Sequence, residues 1–299
     1  MSSSRPVAGF LLRVTIAHVV TYFVVGLIAA AVIDYADLFT QPVIRDFMRP
    51  FGSVAVIVGP LLQVVRGLLI AAVLLPFRAV IAAGRGWLWL WLLFLGIGIL
   101  STPAAAPGSL EGAVYSQLPW WYHLLGMPEM LVQTLAFSAL VHLIARHPTG
   151  VFAALPPVFE RILRALVVAC FSFIGYAAVS VVFALAVGAP IGAAENLSPA
   201  VQGIFVLPFL VNGVIAFFAA AEHAPRRRLA AAAISYGAGA ISILSYQAIV
   251  FGSADLVYGL VAPVLPAVIL WLVTAHRRGS GSVPTDADVE SAQHARPAR

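Results

Sequence analysis

Polar side chains inside apolar stretches are few in this 299-residue chain, and the most informative of them is Arg66. Arg66 lies past the middle of the apolar stretch 53–77, with Gln63 about one helical turn away on the same face. Roughly eleven residues, or about 16 Å of helix, separate Arg66 from the end of that stretch. Ionisable groups at such depth usually face the interior of a helix bundle and mark functional sites.

A buried guanidinium needs acceptors, and the sequence offers polar side chains on several other apolar stretches. Glu129 and Gln133 are four residues apart and share a helix face. The potential partners of Arg66 are Gln63, Glu129, Gln133, Asn212, Tyr246 and Gln247. Two interpretations stay open: the set is a structural polar network that pins helices together, or Arg66 binds an anionic small molecule or lipid headgroup in a cavity.

Two histidines, His18 and His142, lie at comparable depth in the first and fourth apolar stretches. A pair of intramembrane imidazoles can ligate a haem or a metal axially. The alternative is that each histidine donates a hydrogen bond to a backbone carbonyl or a hydroxyl. No second pair of ligands at helical spacing accompanies the two histidines, and we therefore predict no cofactor.

Glu111, Tyr115 and His123 lie in the connection between the third and fourth apolar stretches. An acid, a histidine and aromatic rings could line the outer mouth of a membrane protein. The aromatic residues 120–122 are equally typical of side chains that anchor a protein at the membrane interface. Both interpretations of this connection stay open.

Motifs of the common membrane and soluble enzymes are absent from the sequence. It has no phosphate-binding glycine loop, no paired-histidine metalloprotease helix and no pair of carboxylates in an apolar stretch. It contains no lysine, which excludes a Schiff base, and its one cysteine, Cys170, has no partner for an intrachain disulfide. The sequence therefore does not predict an enzyme.

The elements that must position these residues are membrane-spanning helices. The chain is 62% hydrophobic and 10% charged, whereas soluble domains carry about 25% charged residues. One spanning helix needs about 20 apolar residues. Such stretches cover residues 10–33, 53–77, 87–103, 128–145, 163–188, 202–221, 229–251 and 256–274. We predict an all-α membrane protein, a bundle of about eight transmembrane helices with interfacial helices.

Arginines collect in alternate connections between these stretches, as they do on the cytoplasmic side of membrane proteins. The arginine-rich connections carry Arg5, Arg78, Arg85, Arg146, Arg161, Arg164, Arg226, Arg227, Arg228, Arg277 and Arg278. The other connections hold mainly acidic residues, with Arg45 and Arg49 beside them: Asp34, Asp37, Asp46, Glu111, Glu195 and Asp255. The pattern predicts a multi-pass inner-membrane protein with both termini in the cytoplasm. Because it also accounts for the net charge of +5, nucleic acid is not an expected partner.

Two connections have the spacing of amphipathic surface helices, residues 39–51 and residues 151–162. The segment 279–299 loses all apolar periodicity and mixes Gly, Ser, Pro and charged residues, which is typical of disorder. We therefore predict a transmembrane domain over residues 1–278 and a disordered cytoplasmic tail over residues 279–299.

Short sequence words recur in the two halves of the chain. Residues 66–67 and 212–213 each place a polar residue and a glycine before an apolar run, and residues 96–101 are similar to residues 239–245. Because each half would hold four helices, a duplication would give a parallel 4+4 repeat. Words this short also arise by chance, so a repeat and its absence both stay open.

Several segments of the first half form a joint pattern. They are residues 63–67 (Gln-Val-Val-Arg-Gly), 107–115, 121–126, Pro128-Glu129 and Gln133. The pattern resembles an uncharacterised family of bacterial polytopic integral membrane proteins. The resemblance implies a small family of the bacterial inner membrane without an assigned substrate, and it implies that these polar residues belong to one motif.

These observations leave three hypotheses about function. The first is a transporter, channel or lipid-handling protein with a polar site near Arg66, in contact with membrane lipids. The second is a non-catalytic structural or regulatory subunit of a membrane complex, with a membrane-protein partner. The third, an enzyme that uses His18 and His142 or the connection from Glu111 to His123, has the least support in the residues.

Overall fold

The helices predicted from the apolar stretches are present in the structure, a computed structural model that describes residues 4–50, 53–103, 105–148, 155–189, 199–219 and 225–275. Every regular element of those residues is helical. The helices are α1 (Ser4–Val32), α2 (Tyr35–Leu38), α3 (Ile44–Phe47), α4 (Val54–Ile57), α5 (Gly59–Leu74), α6 (Arg78–Ala82), α7 (Gly86–Leu93), α8 (Leu110–Tyr115), α9 (Trp120–Leu125), α10 (Met127–Arg146), α11 (Pro157–Ala186), α12 (Pro199–Ala219), α13 (Pro225–Tyr246), α14 (Leu256–Val261) and α15 (Val264–Ala275). A 3-10 turn (Leu75–Phe77) joins α5 to α6, and π-helical segments extend α7 over Phe94–Leu100 and α13 over Gln247–Phe251.

Six helical segments of the described residues are long and apolar enough to cross a membrane. They are Val7–Val32, Gly59–Ala82, Trp120–Arg146, Pro157–Ala186, Pro225–Phe251 and Leu256–Ala275. The third predicted stretch forms the shorter apolar helix Gly86–Leu100, and the sixth forms α12, of which Gly203–Ala219 is an apolar part. At 1.5 Å per residue, Gly86–Leu100 is about 22 Å long, less than the roughly 30 Å of a bilayer core. The chain is a multi-pass helical membrane protein, and helix length and composition together identify six crossings among the described residues, against eight predicted.

Helix α1 is at the centre of the bundle. It packs against α5, α10 and α11, and α10 packs in turn against α6 and α7. In the second half, α11 and α13 each pack against both α12 and α15. The two halves meet mainly where α1 contacts α11, with a smaller contact between α5 and α11. Of the six long segments, the one in α1 has the largest buried share.

The two ends of the bundle differ in charge. Near the start of α1, Phe10 lies in a buried apolar cluster with Ile81 and Ile144, and Arg78 and Arg146 flank that cluster in sequence. We call this end the arginine side. The other end carries α2, α8 and α14, and we call it the opposite side.

The structure corrects the surface helix predicted over residues 39–51. Among its described residues only α3 (Ile44–Phe47) is helical, because the preceding turn α2 already ends at Leu38. Ile44 in α3 is fully buried and packs with Leu38 and Leu118. The segment therefore folds back over the α8–α9 connection instead of lying flat on its own.

Two further predictions fall partly or wholly outside the described residues. Of the surface helix predicted over residues 151–162, residues 151–154 lie outside them, and from Pro157 onward the chain is already part of α11. Pro157 is thus at the start of a long helix, where a proline is well accommodated. The predicted disordered tail, residues 279–299, lies entirely outside the described residues.

Glu160 and Arg164 form a buried ion pair at the arginine side of α11. Arg164 Nε and Nη2 each lie 3.1 Å from Glu160 Oε1, and the side chains are only 7% (Glu160) and 4% (Arg164) exposed. Arg164 Nη1 also donates to the carbonyl oxygen of Val273, 2.9 Å away in the last turn of α15. The sequence pattern placed Arg164 in a connection, whereas the structure places it inside α11, where it ties α11 to α15.

Candidate functional site

His18, near the middle of α1, contacts the helices on both of its sides. Its Nε2 lies 3.2 Å from Oε1 of Gln63 on α5, so a protonated Nε2 donates to that amide oxygen. On the other side its ring meets the edge of Phe137 on α10, with ring centroids 5.7 Å apart. Both His18 and Gln63 are buried. His18 therefore fixes α5 and α10 against α1 at this level.

From His18 toward the opposite side, α5 and α10 form the walls of a groove. Each packs on α1, but the two make little or no contact with each other. Tyr22 and Gly26 follow His18 at intervals of four residues and lie on the floor formed by α1. Glu129 closes one wall against Gly26, because a Cβ built on that glycine would lie 3.8 Å from Glu129 Oε1. We define the polar groove by His18, Tyr22, Gln63, Arg66 and Glu129.

Arg66 is the cation of the polar groove. Its side chain is exposed, and its guanidinium lies within electrostatic range of His18 and Tyr22. Within the part of the chain that the structure describes, no hydrogen bond or ion pair joins it. Because α5 begins at Gly59, Arg66 lies about 10 Å from the helix end on the opposite side, not past the middle of the span as the sequence suggested.

Glu129, in the first turn of α10, is held by a tyrosine. Tyr35 of α2 donates its hydroxyl proton to Glu129 Oε2, 2.6 Å away. Burial raises the pKa of the Tyr35 phenol above its ordinary value of 10.0, and the hydrogen bond and charge of Glu129 raise it further. A phenol that stays protonated is a permanent donor, so Glu129 Oε2 has a hydrogen-bond partner that does not depend on Arg66.

Titration of Tyr35 checks this contact. Because its pKa is raised, the hydrogen bond to Glu129 stabilises the fold below the ordinary tyrosine pKa of 10.0 and is lost as the pH rises through the higher pKa of the folded protein. The difference in tyrosinate absorbance between wild type and Tyr35→Phe should therefore appear well above pH 10.0. Tyr115→Phe, which removes a phenol that is 76% exposed, is the control. A Tyr35 difference that appears near the ordinary tyrosine pKa of 10.0 would contradict the contact.

Gln133 adds to the α10 wall of the polar groove, whereas Asn212 does not reach it. Gln133 is half-buried on α10, between Glu129 and Phe137 on the same face. Asn212 is 1% exposed on α12, and its Oδ1 accepts a hydrogen bond from Ser235 on α13. The expected network around Arg66 is therefore split between the two halves of the bundle.

The residues predicted to form an outer mouth do not share one space. His123 is buried and works as a loop pin: its Nδ1 accepts from the backbone N–H of Gly108 at 3.1 Å, and its Nε2 lies 3.4 Å from Ser116 Oγ. Glu111 and Tyr115 are exposed on α8. His123 thus stabilises the connection through hydrogen bonds, whereas Glu111 and Tyr115 lie on its exposed surface.

His18 and His142 have separate partners. His142 Nδ1 donates to the carbonyl oxygen of Ile81 at 2.6 Å, which ties α10 to the end of α6. His18 interacts with Gln63 as described above. No group of three or more histidine, cysteine or carboxylate side chains that could hold a metal occurs among the residues that were described. The geometry fits the hydrogen-bonding interpretation of both histidines.

Sequence reasoning missed the two tyrosines of the site. Tyr22 lies four residues after His18 and so shares its helix face, a signal that was available. Tyr35 lies in the connection after α1, 94 residues from Glu129 in sequence, and only the folding of α2 over α10 brings the two together. Nothing in the local sequence marks Tyr35 as a partner of Glu129.

Comparisons with known proteins do not identify a family or a function for this chain. No protein-family model, curated protein or solved structure matches the chain. The resemblance of residues 63–67 and the neighbouring segments to bacterial polytopic membrane proteins therefore rests on those residues alone.

Proposed function

We propose that the protein is a lipid-handling membrane protein that binds a phospholipid headgroup in the polar groove, with the phosphate on Arg66. The observation that carries this proposal is the state of Arg66: an exposed guanidinium inside an apolar helix, without an acceptor among the described residues. A charge at this depth is costly unless it is paired. The planar guanidinium suits bidentate hydrogen bonding to a phosphate.

The surroundings of Arg66 favour a lipid over a soluble anion. Leu62, Val65 and Leu69 flank Arg66 on α5, and each is more than half exposed. Because α5 and α10 make little or no contact with each other, we take the polar groove to be open along the side between them. A headgroup can therefore enter sideways while its acyl chains stay in the bilayer.

Glu129 narrows the choice of headgroup. It stands on the α10 wall, and both it and Arg66 act electrostatically on Tyr22 between them. A carboxylate across the groove would repel a purely anionic headgroup and would attract one that also carries an amine. We therefore infer a preference for a zwitterionic headgroup such as phosphatidylethanolamine, with its phosphate on Arg66 and its ammonium group on Glu129.

The proposal includes eight crossings of a bacterial inner membrane, with the arginine side in the cytoplasm. The distribution of arginines supports this orientation. Both α5–α6 and α10 end on the arginine side, so the chain must return to the opposite side between them, and Gly86–Leu100 is the helix that can do so. Gly203–Ala219 has the same role between α11 and α13. The polar groove then opens to the outer leaflet.

The packing supports a parallel 4+4 repeat. In each half, the first helix (α1 or α11) packs on the second (α5 or α12) and on the fourth (α10 or α15). The third helix (α7 or α13) packs on the fourth and continues into a π-helical segment. Gly67 faces Thr15 of α1, as Gly213 faces Ala169 of α11. The second half has Asn212 at the position of Arg66, so only the first half would hold the lipid phosphate.

Substitution of Arg66 tests the proposal. Native mass spectrometry of the purified protein would count bound phosphatidylethanolamine, with diacylglycerol as the matched lipid without a phosphate. Arg66→Gln should weaken phosphatidylethanolamine binding about tenfold or more, the loss of roughly 1.4 kcal/mol or more of charge-assisted hydrogen bonding. Arg66→Lys should have a smaller effect. Arg78→Gln, an exposed arginine on α6, should bind like wild type.

Two outcomes would overturn the proposal. One is unchanged phosphatidylethanolamine binding by a folded Arg66→Gln variant, with folding checked by circular dichroism. The other is an equal loss of binding in Arg66→Gln and Arg78→Gln, which would indicate general electrostatics. Glu129→Gln tests the choice of headgroup separately, because it should reduce the preference for phosphatidylethanolamine over phosphatidylglycerol.

A further inference from the structure

A cavity of about 380 Å³ lies on the other face of α1, between the two halves of the bundle. It is lined by α1, α10, α11 and α15. Its volume is in the range of about 300–1,000 Å³ that is usual for small-molecule sites. The lining is apolar except for Arg13. Apolar cavities tend to stay dry and to bind apolar molecules.

Arg13 places a positive charge at this cavity, and no carboxylate of the described residues pairs with it. Its Nε is buried and has no hydrogen-bond partner, and no ion pair joins it to a carboxylate within the described ranges. Its Nη2 lies beside Gly9, where a Cβ would be 3.6 Å away, so the guanidinium points toward the arginine side. The nearby Arg164 differs, because Glu160 pairs with it. The cavity therefore combines an apolar interior with one unmatched positive charge.

The size and the rim of the cavity indicate that it holds one acyl chain. At roughly 30 Å³ per group of the size of a water molecule, the cavity holds about a dozen such groups, enough for much of one acyl chain and too few for two. Leu12 and Leu272 line it and are 61% and 54% exposed. The cavity is thus accessible from the surface of the bundle between α1 and α15.

We propose that this cavity binds a single-chain anionic amphiphile of the fatty-acid class, with its carboxylate on Arg13 and its chain along α1 and α11. The site is distinct from the polar groove. Arg13, Ile16 and Val20 line the cavity, whereas His18 and Tyr22 lie on a face of α1 turned away from it. The inference stands on its own observations and does not depend on a lipid at Arg66.

Two substitutions test separately the apolar cavity that would hold the acyl chain and the Arg13 charge that would bind the carboxylate. Binding of radiolabelled palmitate and of hexadecanol, which has the same chain without the carboxylate, would be measured on the purified full-length protein. Ala17→Phe fills the cavity and should weaken binding of both probes about tenfold or more. Arg13→Gln should weaken palmitate binding about tenfold and leave hexadecanol binding unchanged.

Each substitution has a matched control. Val32→Phe adds the same ring at a position on α1 that is 83% exposed, and Arg146→Gln removes an exposed arginine on the arginine side. Both should bind the two probes like wild type. Equal palmitate binding by Ala17→Phe and Val32→Phe would overturn the proposal, as would an unchanged preference for palmitate over hexadecanol in Arg13→Gln.

Photocrosslinking gives a readout that needs no variant. Palmitate with a diazirine in its chain should label peptides that contain residues 12–20 of α1 and 163–171 of α11. Labelling confined to peptides outside the cavity lining would overturn the proposal even if Ala17→Phe fails to fold.

Arg66→Gln would be tested with palmitate as well. Loss of phosphatidylethanolamine binding without loss of palmitate binding, or the reverse, shows which of the two sites fails.

Discussion

Replacing Glu160 with alanine is expected to lower the free energy of unfolding by about 3–5 kcal/mol, because it leaves the Arg164 guanidinium buried without its carboxylate. The position of the pair strengthens this expectation. Glu160 lies in the first turn of α11, and Arg164 donates to Val273 in the last turn of α15. Each charge therefore lies at the helix end whose dipole favours it. Reversible denaturation in mixed micelles with increasing dodecyl sulfate would measure the loss.

The double variant Glu160→Leu with Arg164→Met is the decisive comparison. Removing both charges avoids an unpaired ion, so the double variant should recover most of the stability that Glu160→Ala loses. Asp46→Ala, which breaks the exposed pair between Arg45 and Asp46, should change stability by less than about 1 kcal/mol. A double variant at least as unstable as Glu160→Ala would show that an unpaired Arg164 is not the source of the effect.

Replacing Gly67 with leucine is expected to separate α1 from α5. A Cβ at Gly67 would already lie 3.2 Å from the Cα, Cγ2 and carbonyl oxygen of Thr15, so a leucine can be accommodated only if the helices move apart. Overpacking of this kind costs about 1–3 kcal/mol, and small residues are what allow membrane helices to approach closely. The same movement would pull Gln63 away from His18 and widen the polar groove. Phosphatidylethanolamine binding should therefore fall together with stability in the micelle titration.

Glycines elsewhere supply the controls. A Cβ at Gly237 in α13 would meet no atom within 4 Å, so Gly237→Leu should leave both stability and lipid binding close to wild type. Gly67→Ala should have a smaller effect than Gly67→Leu, because one methyl group needs a shift of only a few tenths of an ångström. Equal effects of Gly67→Leu and Gly237→Leu would contradict a specific contact between α1 and α5.

The spans were predictable because bilayer thickness imposes a simple rule on composition. Each of the eight apolar stretches overlaps a helix of the structure, with ends that differ by up to about six residues, and six of these helices are long and apolar enough to cross a membrane. The surface segments were not predictable to the same degree. Residues 39–51 have helical spacing, but only the single turn Ile44–Phe47 is helical, and Ile44 is buried against Leu118. That contact joins residues far apart in sequence, which local periodicity does not report.

The polar groove was predictable only in part. Gln63, Arg66 and Glu129 were identified because charged and amide groups in apolar helices are rare. Their hydrogen-bond partners were not predicted: Tyr35 donates to Glu129, and His18 contacts Gln63. The expected link from Arg66 to Asn212 assumed that α12 lies near α5, whereas α12 packs on α11, α13 and α15. Depth along a helix can be counted from a sequence, but the neighbours of a helix follow from tertiary packing.

The central place of α1 has a consequence for the order in which the protein is made. α1 is synthesised before the helices that pack on it, and α11, which covers the face of α1 at the cavity, is complete only about 150 residues later. At roughly 5–20 residues per second, a ribosome takes on the order of ten to thirty seconds to make that segment. An acyl chain that lies against this uncovered face of α1 would be enclosed once α11 and α15 pack onto it.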